Sequence, residues 1–393
     1  MPKLDTTKIR EQLPATTANI YLNTGTYGPM SRRAVAAITE RATEDLEEGR
    51  LRAGMQGFQA YADRLAALRS DLASLVGAAS NEIALTRSTT EGVNLGIWGR
   101  KWSEGDEVVT TSQEHPGILF PLALLRRRYG VRISFADIGH GETDRTLEAF
   151  EEVLHPGVRM VALSHVLYTT GAVLPLREIT DMSHSVGAVV LVDGAQSVGA
   201  IPVDMHALGI DYYAFSGQKW LCGPDGSGGL FVRADMLSSL EPSFASFTTV
   251  DFHSFDARNP ETFALRPEAS CLETGSVYRP AMIGFAEAVA WLRDEVGLDD
   301  AVADISELSA YCRERAAELP GATVLSPAGQ PSGLVSVHIG EDDTAPVVEY
   351  LRDEGVLIRN IHENNALRLS TGFYNTKEEV DLALEKVHEF MKR

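Results

Sequence analysis

The sequence predicts an α/β protein, with a large domain on a mainly parallel central sheet and a smaller α+β domain towards the C-terminus. From about residue 83, short apolar runs alternate with stretches of helical spacing, the pattern that lays parallel strands side by side with helices over them. Two of the runs, VRMVALS and AVVLVD, are almost continuously apolar, as strands covered on both faces must be. Around residues 240–275 the pattern loosens, in EPSFASFTTVDFHSFDARNPETF, before helix and strand signals resume.

Taken in order, IALT (83–86), EVVTT (107–111), VRISF (131–135), VRMVALS (158–164), AVVLVD (188–193) and DYYAFS (211–216) read as strands. GGLFVR (228–233) reads as one more, closing the region. Between them EGVNLGIW, GILFPLALLRR and PLREITDMSHS carry helical spacing. Past the loose segment come an amphipathic helix, PAMIGFAEAVAWLRDEVG, strands near GLVSVHI and ALRLST, and a last helix, TKEEVDLALEKVHEFMKR. The large domain is placed at 15–260, and the small one is assembled from 1–14 and 261–393.

Composition narrows the function. The formal net charge of -20 leaves no basic excess to neutralise phosphates, which argues against non-specific nucleic-acid binding. The three cysteines, Cys222, Cys271 and Cys312, form no CxxC pair, and neither a disulfide framework nor a zinc knuckle is indicated. MPKLDTTKIREQLP lacks the apolar core of a signal peptide, and GAVVLVDGA is too short to cross a bilayer. The expected setting is the cytoplasm, with no membrane partner. No GxGxxG follows a strand, against a nicotinamide dehydrogenase, and the glycines of GPDGSGG do not make a P-loop.

In an open parallel sheet, ligands bind beyond the C-terminal ends of the strands. Ser88, Thr89 and Thr90 follow IALT, His115 follows EVVTT, and Tyr168 follows VRMVALS; Asp193 ends AVVLVD, and Ser216 and Lys219 come with DYYAFS. Five strand ends thus deliver polar groups to one edge, which predicts a single site. A carboxylate such as Asp193 at the end of an apolar strand is costly to desolvate unless a cation or several donors meet it. It either caps the next backbone amides or faces a buried cation. Lys219, in FSGQKWLCGPDGSGG, has the setting of a lysine that must lose its proton and attack a carbonyl.

The segments STTEGVN, EHPG, SHVLYTTG, DGAQ, SGQKW and RLSTGFYNT, in this order and spacing, resemble the class V aminotransferase family. These are fold-type I enzymes of pyridoxal 5'-phosphate (PLP) that include cysteine desulfurases, isopenicillin N epimerases and cystine C–S lyases. The resemblance runs from YLNTGTYGP to the last helix. It implies that Lys219 binds PLP as a Schiff base and shuttles the substrate's α-proton. It gives Asp193 to the pyridine nitrogen, Gln196 to the phenolic oxygen and His115 to the ring face. Thr89, Thr90 and Ser216 would hold the phosphate, where the first two open a helix and read otherwise as simple N-caps. Ser276, in ETGSV, matches a position that reaches the phosphate of a partner subunit, which implies a homodimer with its active site at the interface.

Arg368 lies in ALRLST with Ala366 and Ser370 on one face and Leu367 and Leu369 on the other. The motif match makes it the clamp for the substrate's α-carboxylate, with Arg359 as a second candidate. Tyr27 and Tyr168 are candidates for substrate contact, and Trp220 and Tyr278 read equally as packing. Desulfurases of this family carry a mobile-loop cysteine, whereas GVLIRNIHENNALRLS has none, and Cys222 reads as packing. Desulfurases also have His before the lysine and Asn where Tyr168 stands, and this chain has Gln218 and Tyr168. The expected reaction is β-elimination from cystine, cysteine or an S-substituted cysteine, giving pyruvate, ammonia and a thiol or persulfide. The alternatives within the family are an epimerase or aminotransferase acting on a larger amino-acid derivative and, behind these, a cysteine desulfurase or a catalytically silent relative; the intact Lys219, Asp193 and Arg368 argue against the last.

Overall fold

Seven strands form the central sheet: β1 (Ile83–Thr86), β2 (Glu107–Thr111), β3 (Arg132–Ala136), β4 (Val158–Ser164), β5 (Val189–Asp193), β6 (Tyr212–Ser216) and β7 (Gly228–Val232). The computed structural model describes residues 4–50, 54–259, 261–340 and 343–393. The spatial order is β1-β7-β6-β5-β4-β2-β3, and every neighbouring pair is parallel except those made by β7. GGLFVR is the last strand of the region, as expected, and it lies inside the sheet, antiparallel between β1 and β6. It can run that way because the GPDGSGG turn returns the chain from the end of β6 without a crossover helix. β3 begins and ends one residue later than its apolar run suggests.

Alternation along each strand feeds two cores. Ile83, Leu85, Val109, Val161, Leu163, Val190, Val192, Tyr213 and Phe215 face one side of the sheet. Ala84, Val108, Met160, Ala162, Leu191, Tyr212 and Ala214 face the other, under the helix Thr89–Trp98. With both faces covered, the strands have no polar side to display, which is why their sequences look continuous rather than alternating. Gly92 lets that helix lie close, since a Cβ there would come within 2.7 Å of the Ala214 Cβ.

Two helices ahead of β1, Arg32–Glu47 and Gly54–Leu75, pack against Arg279–Trp291. The long helix expected over 280–297 is α-helical to Trp291 and continues as a π turn, Leu292–Val296, up to Gly297 at φ 82°. That turn hands the chain directly to the helix Leu298–Ala317. A second, antiparallel sheet contains β8 (Leu334–His338), β9 (Arg359–Ile361) and β10 (Ala366–Ser370), in the order β9-β10-β8 followed by the short strand Thr323–Val324. Leu367 and Leu369 enter its core with Val335, Val337 and the terminal helix Lys377–Met391, leaving Arg368 on the opposite face. No described helix is long and apolar enough to cross a membrane.

Candidate active site

The C-terminal ends of β1, β2, β4, β5 and β6 meet at a cavity of about 220 Å³, and β9 and β10 close it from the second sheet. Of the twelve residues the sequence nominates, eleven line it: Tyr27, Thr89, Thr90, His115, Tyr168, Asp193, Gln196, Ser216, Lys219, Arg359 and Arg368. Ser276 does not. It sits on an exposed segment in the left-handed region at φ 59°, away from this chain's own cavity.

Lys219 follows β6 on a loop clamped by the N-terminal segment. Gly28 N–H donates to the Gln218 carbonyl at 2.8 Å, and a Cβ on Gly28 would lie 1.9 Å from the Lys219 carbonyl oxygen. Only glycine permits that approach. Burial lowers the Lys219 pKa to about 8; Asp193 opposes this, while Arg368 and Arg359 reinforce it. About a tenth of the lysine is thus free amine at pH 7, far more than for a lysine in water.

Asp193 accepts the Ala195 N–H at 2.9 Å and still lines the cavity, so the capping and functional readings of this residue hold together. Beneath it lie two buried polar groups that the sequence did not single out. Glu114 accepts from Thr111 at 2.8 Å and Ser164 at 2.5 Å, and burial, with Asp193 adding, pushes its pKa up to about 8. His165 Nδ1 meets the Tyr213 hydroxyl at 2.7 Å, and the same hydroxyl meets Ser197. Burial keeps His165 neutral, with its pKa at about 3. His115 caps the helix Pro116–Tyr129, its Nδ1 accepting the Gly117 N–H at 3.0 Å. Its pKa is lowered first by burial, then by the cations around it, although Asp193 opposes this. The imidazole is therefore held neutral, with Nε2 carrying the proton.

Gln196 is fixed at both ends of its amide, donating to the Gly25 carbonyl at 2.8 Å and accepting from Trp220 Nε1 at 3.0 Å. One amide hydrogen remains to be given. Ser88, not Thr89 or Thr90, caps the helix Thr89–Trp98, accepting from the Glu91 N–H at 3.1 Å. This corrects the N-cap reading of the two threonines. Among the described residues the buried hydroxyls of Thr89 and Ser216 have no partner; Thr89 opens a ten-residue helix with free amides, and Ser216 lines the same cavity from the end of β6. Two orphaned hydroxyls in a cavity that a helix N-terminus also faces suit an anion.

Arg368 is fully buried; its two terminal nitrogens donate to the Tyr168 carbonyl at 3.0 Å and to Thr26 Oγ1 at 3.1 Å, and Nε has no partner. Burial, with Arg359 facing it across β9–β10, pulls its pKa down to about 9. Among the described residues, no carboxylate pairs with either guanidinium. Tyr168 sets its ring edge-on to His115, 5.2 Å between centroids, and donates its hydroxyl to Glu363 at 2.7 Å. Tyr27 stands exposed at the mouth. Besides Glu114 and Glu363, Thr26 escaped the sequence reading: a hydroxyl in a loop gives no signal until Arg368 folds against it. Cys222, Cys271 and Cys312 are buried, and burial pushes their thiols up to about 12, about 11 and about 12.

The arrangement can present a neutral amine, an anion cradle and an unpaired cationic clamp around one small cavity. The sequence model of the "Aminotransferase class-V" family matches residues 32–383. A "Probable cysteine desulfurase 2" of Mycobacterium leprae is 31% identical over 374 residues, covering 89% of this chain and 82% of that protein. Among solved structures, a lysine-to-alanine mutant of C-DES with glycine covalently linked to its PLP cofactor superposes with a TM-score of 0.89 at 28% identity, covering 97% of this chain and 99% of that one. The complex of the cystine C–S lyase C-DES with its product cysteine persulfide gives a TM-score of 0.88 at 28% identity, over 96% and 99% of the two chains.

Proposed function

Because the chain belongs to the class-V aminotransferase family, we propose that it is a PLP-dependent C–S β-lyase, cleaving cystine, cysteine or an S-substituted cysteine to pyruvate, ammonia and a thiol or persulfide. One observation carries the choice among the family's chemistries. All three cysteines are buried, with thiols held far from the thiolate form, so no side chain is available to receive sulfur. Elimination needs no such group.

The residues at the cavity fit PLP. Thr89 and Ser216, with the amides of the helix start, are the donors for its phosphate. Asp193 would serve the pyridine nitrogen, the spare hydrogen of Gln196 the phenolic oxygen, and the neutral His115 the ring face. Bound there, PLP supplies an electron sink for the carbanion at the substrate's Cα. Arg368 holds the α-carboxylate with its planar guanidinium and Arg359 stands beside it. Lys219 would hold the cofactor, and its Nζ, neutral when free, would accept the α-proton. The Cβ–S bond then breaks with its electron pair leaving on sulfur, and the resulting aminoacrylate hydrolyses to pyruvate and ammonia. In this reading the protein is a homodimer, each Ser276 serving the phosphate site of the other subunit.

The test is a product assay on PLP-loaded protein with cystine, cysteine and several S-alkyl or S-aryl cysteines, following pyruvate, ammonia and released thiol together. Stoichiometric pyruvate and ammonia are expected, with the best substrate identifying the leaving group. Binding of amino acid without pyruvate would instead point to epimerase or aminotransferase chemistry. Cys222→Ala should retain elimination within about threefold; complete loss would restore a desulfurase mechanism.

A further inference from the structure

We propose that Glu363 is a positioning residue: by accepting the Tyr168 hydroxyl it fixes the β9–β10 hairpin, and so both arginines, over the cavity. The hairpin reaches the site from the second sheet, and Arg359 and Arg368 lie opposite one another in its register. Its tip is the single 3₁₀ turn His362–Asn364, closed by Asn365 at φ 47°. Tyr168, on the loop after β4, touches this hairpin three times. Its ring packs with Ile361 and Ala366, its carbonyl accepts Arg368 at 3.0 Å, and its hydroxyl donates to Glu363 at 2.7 Å.

Each contact constrains something different. The ring contact buries apolar surface and is indifferent to sliding along the hairpin. The carbonyl contact lies at the guanidinium itself. Of the three, the phenol–carboxylate contact, charge-assisted and directional, is the one that grips the tip, alongside the His338 Nδ1 contact with the Asn365 carbonyl at 3.0 Å. The carboxylate is the form that accepts: although burial opposes it, the Tyr168 hydroxyl, a backbone donor and Arg359 hold Glu363 below the ordinary carboxylate range. The same tyrosine meets the His115 ring in a T-shaped contact, so one side chain ties the carboxylate clamp to the cofactor bed. Glu363 itself does not line the cavity, and its effect must pass through Tyr168 and the arginines.

This inference rests on the amino-acid chemistry assigned to the cavity, and the two can fail separately. Glu363→Ala, Glu363→Gln, Tyr168→Phe and the double variant Tyr168→Phe/Glu363→Ala are prepared as PLP-loaded enzyme. KM and kcat are measured for the best cysteine-derived substrate, and the affinity for glycine, a bare α-amino carboxylate, by calorimetry. Glu363→Ala should raise KM and weaken glycine about fivefold, the value of roughly 1 kcal/mol for one part-buried hydrogen bond, with kcat within twofold. Tyr168→Phe should match it, the double variant should be no worse than either single, and Glu363→Gln, whose amide oxygen still accepts, should return to within twofold of wild type.

Unchanged KM and glycine affinity in Glu363→Ala would overturn the proposal. So would additive effects in the double variant, or Glu363→Gln as impaired as Glu363→Ala. A wild type that takes up neither PLP nor glycine would instead refute the underlying functional reading. Because Glu363→Gln keeps the contact, a folding defect in Glu363→Ala cannot imitate the full pattern.

Discussion

Lys219 is buried with only Asp193 to favour its charged form, and Arg368 has no carboxylate partner among the described residues, so each predicts something about the ligand-free chain. Burial lowers the Lys219 pKa to about 8, and the free amine is the form that captures an aldehyde. Below pH 8 the amine fraction changes about tenfold per pH unit, so the rate at which apoprotein takes up PLP should rise with pH and level off above about 8. Stopped-flow absorbance checks it; a flat profile between pH 6 and 8 would mean that Lys219 is not the capturing group. Arg368 is a buried guanidinium without a carboxylate, a costly arrangement that a substrate carboxylate relieves. Arg368→Met, which keeps most of the volume, should leave the apoprotein as stable or more stable while raising KM about 10- to 100-fold, as loss of a bidentate charged contact does. A fall in apoprotein Tm of several degrees with unchanged KM would make Arg368 a structural residue.

At the scale of elements, the site follows from where strands stop and one helix starts. Five strand ends were legible because strands buried on both faces are continuous apolar runs, so their polar successors stand out. The direction of β7 was not legible, since antiparallel and parallel strands read alike once both faces are covered. The helices before β1 were missed because their burial is narrow: Arg32–Glu47 buries only Ala34. Cap assignment slipped by one residue, as helix starts do, and the slip matters because it frees Thr89. Thr89 and Ser216 carry the element-scale prediction. A buried hydroxyl without a partner costs stability in the empty protein and repays it only when an anion arrives. Ser216→Ala should therefore keep or slightly raise the apoprotein Tm while weakening PLP binding about tenfold, measured by equilibrium dialysis of the cofactor. Equal losses in both quantities would assign Ser216 to packing and leave the phosphate to the helix amides alone.

The whole molecule poses the question of what Ser276 does, since it faces solvent rather than the cavity of its own chain. Around it the chain exposes apolar side chains, among them Phe244, Phe247, Phe252, Phe255, Phe263 and Tyr278, on and just beyond the segment where strand and helix patterning lapses. A net charge of -20 opposes casual self-association, so a stable dimer needs such a surface to supply its burial. If each Ser276 completes the other subunit's phosphate site, two inactive chains must rescue one another. Lys219→Ala lacks the lysine, and Ser276→Asp places a negative charge where the phosphate of the partner would sit. In a mixed dimer, one site combines both defects while the other combines an intact Lys219 with an intact Ser276. Co-refolding equal amounts gives half mixed dimers, and one working site in each amounts to about a quarter of wild-type sites. Activity near a quarter of wild type, from parents that have almost none, would establish the shared site. Light scattering at the mass of one 42.7 kDa chain, or a mixture no more active than its parents, would return Ser276 to the surface and leave each cavity complete within its own subunit.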